Sequence, residues 1–270
     1  MKKQSIEAEK DNLFFVTKAK ELDIDKMEIM PVIKTKWKQK CKRAITRNKK
    51  SKEEIQLFSD IMGFREGIKI LDVGCGIGAE AIELSYLGAD CTGLDAAEDA
   101  IRVVNQVRND FKLNMRGVYG DACHLPFDDE TFDVVMSREF FEHVADFDLA
   151  MKEQVRVLKR DGRLIIEQAN FLNPLTLISL LIRYPIRSRG KFGGVKWLLT
   201  KSKVRENIYG TGWSGKDEDV HTRLWWRVKM RQYSELKINE FTSSMARNRS
   251  KFFRMMAPLV GNILIVATKQ

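Results

Sequence analysis

Leu71–Glu80, LDVGCGIGAE, is the stretch whose reading decides the fold. Gly74, Gly76 and Gly78 follow a short apolar run, Ile68–Val73 (IKILDV). A glycine-rich turn between a buried strand and a helix lets a ligand approach the backbone, and a helix start at Ala79 offers free N–H groups. Read as G-x-G-x-G, the loop suits a nucleotide-like cofactor. Read with Ala79 as the last small residue it is G-x-G-x-x-A, which a dinucleotide site also accepts. The loop alone leaves both open.

Working outward, strand and helix patterns alternate. AEAIELSYLG reads as a helix stopped by Gly88, DCTGLD (Asp90–Asp95) as a second strand ending in an acid, and AEDAIRVVNQVRND as a second helix. RGVYGDA, TFDVVMS and GRLIIEQ hold three more strands, with the helix DLAMKEQVRVLKR between the last two. Alternation from about Gly67 to Asn170 predicts a parallel sheet with helices on both faces, joined by right-handed crossovers. It stops from Phe171 to about Arg231, after which ELKINEFTS and GNILIVATK read as two further strands without a crossover helix between them. An antiparallel closing pair is expected. The expected fold is thus α/β: a doubly wound, mostly parallel seven-stranded sheet with an antiparallel last strand. Its expected divisions are a charged helical extension (1–52) whose first helical stretch Pro31 breaks, a cofactor-binding core (53–170), an insertion acting as substrate lid (171–232) and the closing strand pair (233–270).

Bulk properties narrow the class. The longest apolar run lies in Leu175–Ile182, far short of the roughly 20 residues that span a bilayer. MKKQSIEAEKD carries acids where a signal peptide needs an apolar core. Cys41, Cys75, Cys91 and Cys123 show neither C-x-x-C nor zinc spacing, and read as reduced thiols of a cytoplasmic protein. The formal charge of +10 is segregated. Met30–Lys52 holds ten Lys or Arg and no acid, and Gln168–Arg205 holds eight and no acid. Removing these eighteen from the 47 leaves 29 bases against 37 acids, so the remainder is acidic. Such segregation points to an anionic partner beside the two segments: phosphate, a membrane surface or nucleic acid.

Three features bear on the cofactor. Asp72, at the end of the first strand, is awkward beside a pyrophosphate and welcome beside a cationic sulfonium or amino group. In GDACHLPF (Gly120–Phe127), Asp121 is placed to accept from an adenine amino group and the Ala122 N–H to donate to a ring nitrogen. The antiparallel end of the sheet departs from the parallel dinucleotide pattern. LDVGCGIG, the acid in GLD, GDACHLPF, FDVVMSREFFEHV and VLKRDGRLIIE stand in order and at fitting distances. Together they resemble a class I S-adenosylmethionine (SAM)-dependent methyltransferase, Rossmann-like in fold, of the type 11-like group acting mainly on small molecules. The resemblance covers about Gly67–Gln168. It implies that Asp72, Gly74, Cys75, Gly76 and Gly78 hold the methionine end and ribose side. Asp95 with Ala96 would hold the ribose, Asp121 and Ala122 the adenine, and Ser137 would line the pocket after the fourth strand. KRDG stands where the family has a Pro-Gly-Gly turn ahead of the fifth strand.

Methyl transfer is an in-line displacement for which no metal is required, and positioning supplies much of the rate. A hydroxyl nucleophile benefits from a general base. The candidate is His143 in SREFFEHV, with Glu139 four residues earlier and on the same face if that stretch is helical. The competing role for Glu142 and His143 is bracing of the strand–helix loop. The insertion joins an apolar patch to a basic one, a pattern that suits an anionic membrane surface and a lipid- or polyprenyl-linked substrate, or a lid helix packed on the core. His221 and Trp225, four apart, are second-rank substrate candidates. An RNA ribose or cap methyltransferase and a non-catalytic SAM-fold module are the rival readings. SREF in place of a polar-Pro-Pro-aromatic motif argues against base-amino methylation of nucleic acid.

Overall fold

The computed structural model describes residues 13–46, 56, 59–144, 146–168, 223–243 and 262–270. Its centre is a seven-stranded sheet: β1 (Lys69–Val73), β2 (Asp90–Asp95), β3 (Met115–Tyr119), β4 (Phe132–Arg138), β5 (Leu158–Gln168), β6 (Leu236–Ser243) and β7 (Ile263–Lys269). The spatial order is β3-β2-β1-β4-β5-β7-β6. The first five strands are mutually parallel, and β7 runs antiparallel to both β5 and β6. The expected closing pair is therefore present. Strand order reverses between β1 and β4, and in open α/β sheets the crevice beyond the carboxyl ends at such a switch point is where ligands bind.

Strand composition follows from burial on both faces, which favours continuous apolar runs. Ile70, Leu71, Val73, Val135, Ile165 and Ile166 are each 0% exposed. Alternate side chains feed two cores, as the period of a strand requires. On one face Ile70, Val134, Met136 and Ile165 pack with α3 (Ala79–Tyr86) and α4 (Glu98–Phe111). On the other, Leu71, Val73, Val135 and Ile166 pack with α5 (Phe147–Val157) and α6 (Arg223–Met230). In α6 the buried residues are Trp226 and Met230, four apart and so on one face. At the sheet edge the Asn105 side chain takes both the N–H and the carbonyl of Gly117 on β3 (2.9 and 3.1 Å), which blunts an edge otherwise open to pairing.

The N-terminal segment docks on the first face. The short helix α1 (Phe14–Thr17) has no side-chain cap of its own at Leu13. Glu83 of α3 substitutes, accepting from the Phe14 and Phe15 N–H groups at 2.7 and 3.0 Å. Burial pushes the Glu83 carboxyl up to about 7, against the pull of those two donors. Pro31, expected to interrupt a helix, instead opens α2 (Pro31–Thr46), where the first position needs no N–H. Ile33, Trp37 and Ala44 turn the inner face of α2 to the core.

KRDG is a second difference. Lys159–Gly162 lies inside β5 rather than ahead of it, as an irregularity: the register moves from Phe132↔Leu158 to Val134↔Arg163. Asp161 takes a left-handed φ of 59°, and a Cβ on Gly162 would stand 2.7 Å from the Lys159 carbonyl oxygen. Of the expected insertion, 171–232, residues 171–222 lie outside the described residues, whereas Arg223–Met230 forms α6, which packs on the core through Trp226 and Met230. Among the described residues, no helix is long and apolar enough to cross a membrane. All four cysteines are free.

Candidate cofactor and active site

Loop Gly74–Gly78 sits at the carboxyl edge between β1 and α3. Gly74 and Cys75 donate to the Leu94 carbonyl at 2.8 and 3.1 Å, so the loop is tied to the end of β2. Asp95 completes the tie: one carboxylate oxygen accepts from the Gly76 N–H at 2.7 Å and the other from Ala97 at 2.8 Å. A carboxylate oxygen has further lone-pair capacity, so Asp95 can still accept from a ribose diol. Ala96, beside it, is exposed. Cys75 is buried with its sulfur against Gly93, where an added Cβ would come within 2.8 Å.

The three glycines are required for different reasons. All have φ between 54° and 73°, which L side chains avoid. A Cβ on Gly74 would lie 2.6 Å from the Phe140 ring, and one on Gly78 2.6 Å from Val104. A Cβ on Gly76 would meet nothing within 4 Å. Gly76 therefore borders open space, which is the cradle a cofactor backbone contact needs.

Two buried polar atoms at this edge lack hydrogen-bond partners: Asp72 Oδ2 and Ser137 Oγ. Asp72 pairs in register with Gly93 and Met136, and Ser137 pairs with Val73. Burial pushes the Asp72 carboxyl up to about 8, with Glu80 and Asp95 adding to the rise and Arg138 and Lys40 opposing it. It is mostly protonated at neutral pH, and a cation placed beside it would favour the ionised form. An unsatisfied buried carboxyl beside an open glycine is a site that fits an ammonium- or sulfonium-bearing ligand, whose charge would favour the ionised carboxylate.

Sequence reasoning missed an ion-pair network around this carboxyl. Arg138, the last residue of β4, donates from Nη1 to Glu80 (2.6 Å) and from Nε to Glu167 at the end of β5 (2.7 Å). Lys40 of α2 reaches Glu80 at 3.4 Å. Asn262, just before β7, approaches both Glu139 and Glu167 at 3.3 Å. Burial would raise Glu80, but Lys40 and Arg138 dominate together and hold it down at about 2. The only signal in the sequence was an acid in the first turn of α3 and an arginine within SREF.

On the adenine side, Asp121 accepts from the Cys123 N–H (2.9 Å) and pairs with His124 Nδ1 (3.2 Å). The backbone donor first, then His124, lowers its carboxyl below the usual range. Asp121 remains exposed and Ala122 is buried beside it. His143 is half exposed, with Nε2 at 3.6 Å from the buried Glu142. Residues 139–144 form a bend and turn, so Glu139 and His143 share no helix face. Trp225 stacks edge-on against Phe147 and Trp226. His221 lies outside the described residues. A cavity of about 860 Å³ lies elsewhere, between the N-terminal segment and α4. Its lining includes none of Asp72, Gly76, Asp95 and Asp121.

A seven-stranded sheet with one antiparallel strand, a glycine loop after β1 and acids at the carboxyl ends of β1 and β2 define the class I SAM-dependent methyltransferase fold. Residues 71–166 match the methyltransferase domain family. Over 115 residues it is 32% identical to the uncharacterized methyltransferase YcgJ of Bacillus subtilis, covering 42% of this chain and 46% of that protein. Over 107 residues it is 39% identical to a demethylmenaquinone methyltransferase of Staphylococcus aureus, covering 38% of this chain and 44% of the relative. The matches thus span less than half of those relatives' lengths. The crystal structure of YcgJ superposes with a TM-score of 0.54 at 18% identity, over 81% of this chain and 98% of that one. The cyclase SpnF superposes at 0.55 and 16% identity, over 86% and 82%. The shared architecture therefore sets a scaffold, and the reaction has to be argued from the site.

Proposed function

We propose that the chain transfers a methyl group from SAM to a small-molecule or lipid- or glycan-linked acceptor by in-line displacement. The observation that carries this reading is the open cradle at Gly76, flanked by the unsatisfied Asp72 carboxyl and by Asp95. When bound, SAM supplies an electrophilic methyl group on a sulfonium. Asp72 would face its cationic methionine end, and Asp95 would accept from the ribose hydroxyls while keeping its two backbone donors. Asp121 and the Ala122 N–H would frame the adenine, and Ser137 would offer its hydroxyl at the end of β4. The chain's task is then to hold the acceptor's nucleophilic atom in line with the methyl carbon, which supplies most of the rate. His143, half exposed beside Glu142, would take the acceptor's proton as the new bond to carbon forms and the carbon–sulfur bond breaks. His221 and Trp225 remain the proposed acceptor contacts. The Staphylococcus relative acts, by its name, on demethylmenaquinone, which favours quinone-like extracts as the first acceptors to try.

The test is transfer of label from methyl-labelled SAM into lipid, glycan and quinone-containing extracts. Label in an extractable small molecule supports the reading. Label in RNA alone moves the assignment to a nucleic-acid methyltransferase, and binding of SAM without any transfer moves it to an interaction module.

A further inference from the structure

Phe140 belongs to SREFFEHV, but the roles discussed so far leave it without one. Its position is unusual for an aromatic ring. Glu139, at the end of β4, takes a left-handed φ of 49°, a conformation that costs energy in a non-glycine residue and that clusters at functional sites. The Glu139 N–H is fixed to the Glu167 carbonyl at 2.8 Å, and the Phe140 carbonyl accepts from His143 at 2.9 Å. Held on both sides, the chain turns back and lays the Phe140 ring on Gly74. Contact is close enough that a Cβ there would stand 2.6 Å from the ring.

The ring is also backed. Phe141 meets it edge-on, at 5.0 Å between centroids and 69° between planes. Phe141 is itself only 2% exposed and locked against Phe147 and Trp226, at 4.6 and 5.4 Å. Phe140, by contrast, is half-buried, so part of its surface is left over after this packing. A rigid aromatic wall thus stands over the first glycine of the loop, two residues from Asp72.

Aromatic faces attract cations through the ring quadrupole, and the attraction strengthens as water is excluded. We propose that Phe140 is a cofactor-contacting residue whose ring faces the sulfonium of SAM and distinguishes it from the neutral thioether of S-adenosylhomocysteine. The inference rests on the SAM reading above. It gives the left-handed Glu139 a purpose, since without that turn the ring would not reach Gly74. It also explains why Gly74 must lack a side chain: the space is taken by the ring.

The two compounds differ by one methyl group and one positive charge, so they separate a charge-sensitive contact from simple packing. Calorimetric titration of the apo-protein with each, for wild type, Phe140→Leu and Phe140→Tyr, reads the contact without any turnover. Phe140→Leu is expected to weaken SAM binding about fivefold and S-adenosylhomocysteine binding less than twofold. Phe140→Tyr, which keeps the ring, is expected to retain the wild-type ratio of the two affinities. Equal weakening of both compounds by Phe140→Leu, no weakening of either, or a Leu-like ratio in Phe140→Tyr would overturn the role. Should Phe140→Leu fail to fold, Phe140→Met removes the ring with a similar volume and is read by the same ratio. If wild type binds neither compound, the SAM reading itself falls and this inference falls with it.

Discussion

Asp72→Asn offers a direct view of the buried carboxyl. The substitution keeps the shape and removes the titration. In the unfolded chain the aspartate has its ordinary pKa of 3.8, and in the folded protein burial raises it to about 8. The folded state therefore binds the proton more tightly. Its stabilising effect is complete below the unfolded value and is lost as pH rises toward and through the folded one. Between pH 5 and pH 7 the folded carboxyl is mostly protonated and the unfolded one mostly ionised. One unit of pH then costs about 1.4 kcal/mol, and the interval about 2.5 kcal/mol. Other groups titrate alike in both proteins, so the difference between wild type and Asp72→Asn isolates this carboxyl. Urea unfolding followed by circular dichroism should show Asp72→Asn gaining about 2.5 kcal/mol on wild type from pH 5 to pH 7. Parallel profiles, or a gain in the opposite direction, would refute the claim that the carboxyl is buried without a compensating partner.

Gly78→Ala sets a methyl group against Val104 in a left-handed backbone, and should cost on the order of 2–4 kcal/mol by strain and overpacking. Urea unfolding measures it, and Val104→Ala in the same chain should recover the packing share and leave the backbone share. Arg138→Gln leaves Glu80 with Lys40 and Glu167 with Asn262, and because the cluster is only partly buried a loss of about 1–3 kcal/mol in the same assay is expected. Glu83→Ala leaves the Phe14 and Phe15 N–H groups without their acceptor, costing about 1–3 kcal/mol. The associated loosening should appear as faster amide exchange across α1 and α2, with β1 and β4 unchanged. Cosedimentation with anionic vesicles tests the membrane surface expected of the basic segments: neutralising Arg183, Arg187 and Arg189 should weaken binding and make it less salt-sensitive, and unchanged binding would overturn it.

The parts of the fold legible in the sequence were those with local signatures. β1, β2, β4 and the closing pair announced themselves through apolar runs bounded by turn residues, and the glycine loop through its spacing. The antiparallel end followed from a link too short in pattern for a crossover. KRDG reads as a turn ahead of β5 because a bulge and a turn share the same residues: Asp161 and Gly162 supply a local kink whichever side of the strand boundary they fall on. Pro31 reads as a stop because proline ends a helix that precedes it, but the same missing N–H suits a first helical position, and that is its place in α2. The network of Lys40, Glu80, Arg138 and Glu167 was illegible because its members lie up to 127 positions apart on four elements that only the sheet brings together. Phe140 was hidden for a related reason. Nothing in SREFFEHV reveals that a left-handed Glu139 folds the ring back onto a glycine 66 positions earlier.

The central claim is the choice of cofactor at the loop Gly74–Gly78. Isothermal titration of the apo-protein with SAM, S-adenosylhomocysteine and NAD under one set of conditions tests it most directly. The account predicts saturable one-site binding of SAM and S-adenosylhomocysteine, both weakened in Gly76→Val, and no binding of NAD at comparable concentration. NAD binding as tightly as SAM or more tightly, or no binding of SAM, would contradict it.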